Sequence, residues 1–311
     1  MNTRDLRFKS NRVRDIILLF HEELDTLYGH GEVNVFCEML FEALLDWDKV
    51  RLLTSKEQTI DQSDLLRFHW ALEDLKKQRP IQHIIGHTDF CGCRIAVSPD
   101  VLIPRPETEE IVEWIIEHTP QSAIGHARNA TGIPLPNLGE QPDSVLDLCT
   151  GSGCIAIALK KAFPQADVTA VDVSRKALDI AERNAANNGT NIKFHQADIL
   201  CPTFHFPLST FHLIVSNPPY VRDSERTQMQ RNVLDYDPAL ALFVPDDDPL
   251  RFYKAIATLA KKHLADDGLL VVEINEALAD ETCELLRGQG FSPTVHHDFR
   301  GKERWISAER F

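Results

Sequence analysis

Asn217-Pro218-Pro219-Tyr220 closes an apolar run, Phe211-His212-Leu213-Ile214-Val215, that reads as a buried strand. Each proline fixes its own φ and pushes the residue before it towards extended backbone, so the turn is stiff. Neither proline has an N–H. The turn therefore presents carbonyls and the Asn217 side chain. Such a rim of acceptors suits a substrate that brings N–H donors, an amide or an exocyclic NH2 group. Taken alone, the same four residues also read as a plain loop after a core strand.

A second constellation lies upstream. Ser144–Leu148 reads as a strand, Cys149-Thr150-Gly151-Ser152-Gly153-Cys154 as a tight loop, and Ile155–Phe163 as a helix stopped by Pro164. Strand, glycine loop and helix open a nucleotide-binding α/β unit, and the glycines let backbone approach a ligand closely. Asp167–Val171 reads as the next buried strand and ends in Asp172, where a carboxylate is placed to take ribose hydroxyls. A helix follows from Ser174 to Asn187, and a third strand leads to Asp198. Gly151, Gly153 and Ala156 match the dinucleotide fingerprint only loosely. Asp147 precedes the loop, and its carboxylate would repel a pyrophosphate and attract a cation. S-adenosylmethionine (AdoMet), with a sulfonium and an ammonium, fits better than a dinucleotide.

These motifs together resemble those of the class I AdoMet-dependent methyltransferases. The Asn-Pro-Pro-Tyr element is similar to that of members methylating planar nitrogens: adenine N6, cytosine N4 or the glutamine side-chain amide. Leu102-Ile103-Pro104-Arg105-Pro106-Glu107-Thr108-Glu109 and Gly301-Lys302-Glu303-Arg304 narrow the resemblance to the peptide chain release factor N5-glutamine methyltransferases. It runs from about Ile81 to Ile306 with one interruption.

The resemblance implies transfer of a methyl group from AdoMet to the glutamine of a Gly-Gly-Gln tripeptide in release factors, with S-adenosylhomocysteine as product. Cys149, Thr150, Gly151, Ser152 and Gly153 would cradle the methionine part, with Asp147 near its ammonium. Asp172 would hold the ribose, and Asp198 with Ile199 would border the adenine; Asp198 also reads as a turn residue. Asn217, Pro218, Pro219 and Tyr220 would form the catalytic, substrate-binding rim, with Asn217 also reaching the cofactor. Asn217 and the Pro218 carbonyl would accept from the amide NH2, and Tyr220 would pack against the flat side chain. Arg105, Glu107 and Thr108 would belong to a lid over cofactor and glutamine, or Arg105 and Glu107 form only a salt pair at a helix start. Two departures stand out. Cys149 occupies a position where glycine is usual, so it takes an ordinary φ or is strained. Ile199 replaces an aromatic that often stacks on adenine. The loop motif and Phe90-Cys91-Gly92 also resemble the sister family that methylates glutamine on a large-subunit ribosomal protein.

Around these motifs, alternating strands and helices predict a doubly wound, Rossmann-like α/β sheet with ligands at the carboxyl ends of its strands. Before it, helical stripes such as Val13, Ile16, Phe20 and Leu24 predict a small bundle. The expected organisation is a helical substrate-docking domain over 1–80, a hairpin linker over 81–100 and the methyltransferase domain over 101–311. A Gly- and Pro-rich surface insertion is expected at about 119–142, and Arg222–Asp248 reads as irregular. A terminal hairpin is expected across Arg300-Gly301. The 311 residues carry a net charge of -14, which disfavours a nucleic-acid substrate. The chain has no membrane-length apolar run and opens on polar residues, so the expected compartment is the cytoplasm. Seven scattered cysteines argue against a disulfide framework. Cys91 and Cys93 lack a second pair, and no metal is expected.

Overall fold

Apolar residues recurring every three or four positions bury one face of each of the three long N-terminal helices. The computed structural model describes residues 8–119, 142–201 and 210–311, which fall into two units. The first unit comprises Met1–Gly86 with Gln230–Tyr236. It contains α1 (Val13–Tyr28), α2 (His30–Leu45), α3 (Lys49–Thr54), α4 (Gln62–Lys76) and α5 (Ile81–Ile85). Val13, Ile16, Phe20 and Leu24 of α1 are all buried, and Phe20, Phe41 and Phe68 bring three helices onto one aromatic core. Gly29 separates α1 from α2 with a φ of 83°, a left-handed value that a Cβ would disfavour.

The second unit begins with a hairpin, β1 (His87–Phe90) and β2 (Cys93–Ala96), paired from His87↔Ala96 to Phe90↔Cys93. Its turn residues Cys91 and Gly92 both take positive φ, which matches the twist of tightly joined strands. Then come α6 (Pro106–His118), β3 (Ser144–Leu148), α7 (Cys154–Ala162), β4 (Asp167–Asp172), α8 (Arg175–Asn187), β5 (Lys193–Gln196) and β6 (Phe211–Ser216). The segment expected to be irregular holds short regular pieces. These are β7 (Val221–Arg222), a 3-10 turn at Asp223–Gln228, α9 (Arg231–Leu234, within the first unit), α10 (Ala239–Leu242) and β8 (Phe243–Val244). β7 and β8 pair in parallel, giving backbone groups there the partners that a coil would leave to water. The chain ends with α11 (Arg251–His263), β9 (Leu264–Glu273), α12 (Ala279–Gly288), β10 (Phe291–His297) and β11 (Glu303–Arg310).

Among the described residues, seven strands form one sheet in the order β10-β11-β9-β6-β3-β4-β5. β9, β6, β3, β4 and β5 run parallel, while β10 and β11 form the antiparallel terminal hairpin. Alternation along the strands feeds two cores. Val145, Leu213 and Val271 join α6 and α7 on one face, and Leu146, Ile214 and Leu270 join α11 and α12 on the other. This is a doubly wound sheet. The chain leaves β3 towards β4 on one side and returns to β6 on the other, so a crevice opens at the carboxyl ends of β3 and β6. The interruption at 119–142 lies outside the described residues apart from its ends. All seven cysteines are free. Among the described residues, no helix is long and apolar enough to cross a membrane.

Candidate active site

The loop after β3 turns on three left-handed residues: Cys149 (φ 60°), Gly151 (55°) and Gly153 (81°). Cys149 therefore does not take the ordinary φ open to a side chain, and the backbone keeps a glycine-like shape at a cost in strain. Gly153 has a packing reason to be glycine: an added Cβ would stand 3.0 Å from the Ala181 Cβ of α8. Asp147 ties the loop to α7 from below. Its Oδ2 accepts from Thr150 Oγ1 at 2.5 Å and from the Ala156 N–H at 3.2 Å, while Oδ1 has no partner among the described residues. Burial raises its pKa to about 7, against the pull of those two hydrogen bonds. The family resemblance implies a place for Asp147 near a ligand ammonium. The structure puts it inside the protein, because strand alternation turns it to the same face as Val145, under α7.

A cavity of about 290 Å³ opens above this loop. Cys149, Thr150, Gly151 and Ser152 line it; Gly153 and Asp147 do not. Asp172 lines it from the end of β4, with Oδ2 accepting from the Gly151 N–H at 2.9 Å and Oδ1 from the Ser174 N–H at 2.8 Å. Burial raises the pKa of Asp172, and those backbone bonds oppose the shift. Asp198 lines the cavity and also bonds the Leu200 N–H at 2.9 Å, so its turn role and its place in the wall coexist. Ile199 and Phe252 of α11 also line the cavity, so an aromatic residue is among the lining although position 199 lacks one. An open glycine-type loop, carboxylates and an apolar side form a wall that fits a nucleoside bearing positive charge.

The Asn-Pro-Pro-Tyr loop leaves β6 at the crevice. Asn217 and Pro219 line the cavity; Pro218 and Tyr220 do not. Asn217 Nδ2 donates to Thr108 Oγ1 at 3.1 Å, and Thr108 Oγ1 donates in turn to Glu273 Oε2 at 2.7 Å. A hydroxyl already donating to a carboxylate can only accept from the amide, so the NH2 end of Asn217 faces Thr108. The oxygen is the end left over as an acceptor. Tyr220 donates to Glu273 Oε1 at 2.9 Å, and its ring packs against the core. It thus braces Glu273 and does not line the cavity.

A model of the Methyltransferase small domain matches residues 125–236, and a model of the PrmC N-terminal domain matches residues 28–86. A release factor glutamine methyltransferase of Flavobacterium psychrophilum is 42% identical over 288 residues, 92% of this chain and 95% of the relative. The chain belongs to the release factor glutamine methyltransferase family. The protein of that name from Bacteroides thetaiotaomicron is 35% identical over 95% of this chain and 99% of its own. At the level of fold, the hMettl16 catalytic domain in complex with MAT2A 3'UTR hairpin 6 superposes with a TM-score of 0.52. It is 15% identical, over 83% of this chain and 86% of that one.

In this member of the release factor glutamine methyltransferase family, the α6 start differs from a simple salt pair. Arg105 bonds the buried carboxylate of Asp237 at 2.5 Å, not Glu107. Arg105 and Thr108 line the cavity, whereas Glu107 does not. Pro106 occupies the first helical turn, where its missing N–H costs nothing. Glu273, at the end of β9, is a site residue that no sequence motif above includes. It is buried, its pKa is raised by that burial, and the Thr108 and Tyr220 hydroxyls and Arg304 oppose the shift. Its signal was available: an apolar run ending in an acid, as β4 ends in Asp172.

Proposed function

We propose that this methyltransferase moves a methyl group from AdoMet to the side-chain N5 of the Gly-Gly-Gln glutamine in peptide chain release factors. The observation that supports this reading is the hydroxyl chain from Glu273 through Thr108, which holds the NH2 end of Asn217, a residue of the carboxylate-lined cavity, and leaves its oxygen as an acceptor. AdoMet, when bound, supplies an electrophilic methyl group on a sulfonium. Asp172 would take its ribose hydroxyls, the Cys149–Ser152 backbone its methionine part, and Asp198 with Ile199 would border the adenine.

A glutamine amide is a poor nucleophile because its nitrogen lone pair is delocalised into the carbonyl. Asn217 Oδ1 and the Pro218 carbonyl would accept the two amide N–H groups and localise that lone pair. Pro219 stiffens the turn. Positioning of this kind contributes roughly 7–11 kcal/mol in well-oriented systems. The methylated amide cation is strongly acidic and sheds its proton without a dedicated base. The N-terminal helical unit would dock the large substrate, and translation factors as substrates imply a cytoplasmic enzyme. The net charge of -14 supports a protein substrate over a nucleic acid.

The test is transfer of labelled methyl to purified release factor, to its Gly-Gly-Glu variant, to a large-subunit ribosomal protein and to DNA. Label is expected on the unaltered release factor alone. Equal label on the variant, or label only on the ribosomal protein or DNA, overturns the assignment. Asn217→Ala should remove turnover while changing AdoMet affinity by no more than about twofold, the pattern of a group that acts on the transition state. Parallel loss of both would show that Asn217 serves cofactor binding instead.

A further inference from the structure

Among the described residues, one group of His, Cys, Asp and Glu side chains has ligand atoms close enough to share an ion, and the methyl-transfer reaction does not use it. It sits at the corner between α1 and α2. His21 and Asp25 stand one turn apart on α1, and His30 opens α2 just past Gly29. His21 Nδ1 lies 2.7 Å from Asp25 Oδ1, and His30 Nδ1 lies 3.0 Å from Asp25 Oδ2. The two imidazoles stack with centroids 4.2 Å apart, and the three ligand atoms lie within 4.8 Å of one another.

Asn34 settles where the protons are. Its Nδ2 donates to the His30 carbonyl at 3.0 Å, so its Oδ1 is the atom 3.3 Å from His21 Nε2. An amide oxygen only accepts, so Nε2 carries a hydrogen. His21 Nδ1 then faces a carboxylate oxygen, and two lone pairs do not rest 2.7 Å apart. A positive centre belongs between them, either a second proton on the ring or a metal ion. The Asn34 contact favours the ion: metal-bound histidines characteristically donate their other N–H to an oxygen acceptor that fixes ring orientation.

We propose that His21 Nδ1, His30 Nδ1 and the Asp25 carboxylate bind a divalent transition-metal ion of the zinc type. Two imidazoles and one carboxylate are a zinc donor set, with the fourth position left to water. In a tetrahedral zinc site, ligand atoms stand about 3.3 Å apart. Both nitrogen–oxygen gaps need only open slightly. The His30 side chain, 72% exposed, is free to turn and bring its nitrogen in. On binding, His21 releases its Nδ1 proton to solvent and His30 takes the tautomer with hydrogen on Nε2. The ion pins the last turns of α1 to the first turn of α2. The sequence pointed to no metal because His30 joins the other two only once the chain turns at Gly29.

The experiment is titration of the full-length chain, free of any polyhistidine tag, with Zn2+ by calorimetry and with Co2+ by visible absorption. One equivalent of each should bind, and the melting temperature should rise with Zn2+ concentration. His30→Ala removes an exposed ligand without disturbing the helix core and should weaken binding at least tenfold. Asn34→Ala should weaken it by about tenfold, as loss of an outer-shell partner does. No saturable Zn2+ heat and no Co2+ band up to millimolar metal overturns the proposal. So does unchanged affinity in His30→Ala, and in either case hydrogen bonds to Asp25 hold the corner without an ion there.

Discussion

Replacing Glu273 by glutamine keeps the side chain's shape and removes one acceptor. In the native chain, Thr108 donates to one carboxylate oxygen at 2.7 Å and Tyr220 to the other at 2.9 Å. An amide offers one oxygen and one NH2, so one of the two hydroxyls must turn from donor to acceptor. If Thr108 turns, its proton points at Asn217, whose carboxamide rotates and offers NH2 where it offered oxygen. If Tyr220 turns, the phenol proton loses its buried acceptor. A buried polar group left without its partner costs about 1–3 kcal/mol. In the first case the loss falls on the transition state, and 1.36 kcal/mol per factor of ten makes kcat roughly 5- to 150-fold lower. In the second it falls on stability, and the melting temperature drops by about 2–4 °C for each kcal/mol. Single-turnover methyl transfer to release factor and a thermal melt, run on the same sample, read both.

The acid limb of the pH profile separates Glu273 from other causes. Burial raises its pKa, so its proton returns at a higher pH than for an ordinary carboxylate. A protonated Glu273 can donate to Thr108, which then turns its own proton towards Asn217. Native turnover should therefore fall as pH drops through the raised pKa, and that limb should vanish in Glu273→Gln. A variant that turns over within twofold of the native chain, melts within a degree of it and keeps the acid limb would refute the idea that this carboxylate orients Asn217.

Two further substitutions probe the loop after β3. Cys149→Gly removes the strain of a side chain at φ 60°, about 1–2 kcal/mol, against up to about 1 kcal/mol for the greater freedom of glycine in the unfolded chain. The variant should melt at the same temperature or up to a few degrees higher, with AdoMet affinity unchanged; a clear drop in melting temperature would show that the thiol's contacts outweigh the strain. Asp147 has a folded pKa raised from 3.8 to about 7, so its stabilising contribution is full below the lower value and is lost as pH rises through the upper one. Urea unfolding should show the native chain gaining stability relative to Asp147→Asn as pH falls from 7 towards 4. A constant difference between the two across that range would mean that Asp147 does not titrate there.

Local chemistry made much of this molecule legible in its sequence, and non-local pairing accounts for what was not. The β3–loop–α7 unit could be read because an apolar run, two glycines and the Pro164 stop each act on their own neighbours. The stiff Asn217–Tyr220 turn could be read for the same reason. Several acids sit at or near strand ends, and the sequence alone does not say which of them face the cavity. Asp147 and Asp172 share a face, since Asp147 pairs with Ala170, two residues before Asp172; they differ in their place along the strand, one sealed under α7 before the end of β3, the other last in β4 and standing in the cavity wall. Glu273 is invisible as a partner of Asn217 until the parallel pairing of β6 with β9 sets Ser216 beside Val272. That register brings the end of one strand to the start of the other's loop, and the first turn of α6 then supplies Thr108 as the bridge. The acceptor that defines the rim is thus written in three distant segments. Each looks ordinary alone, and only the sheet order gives them a common task.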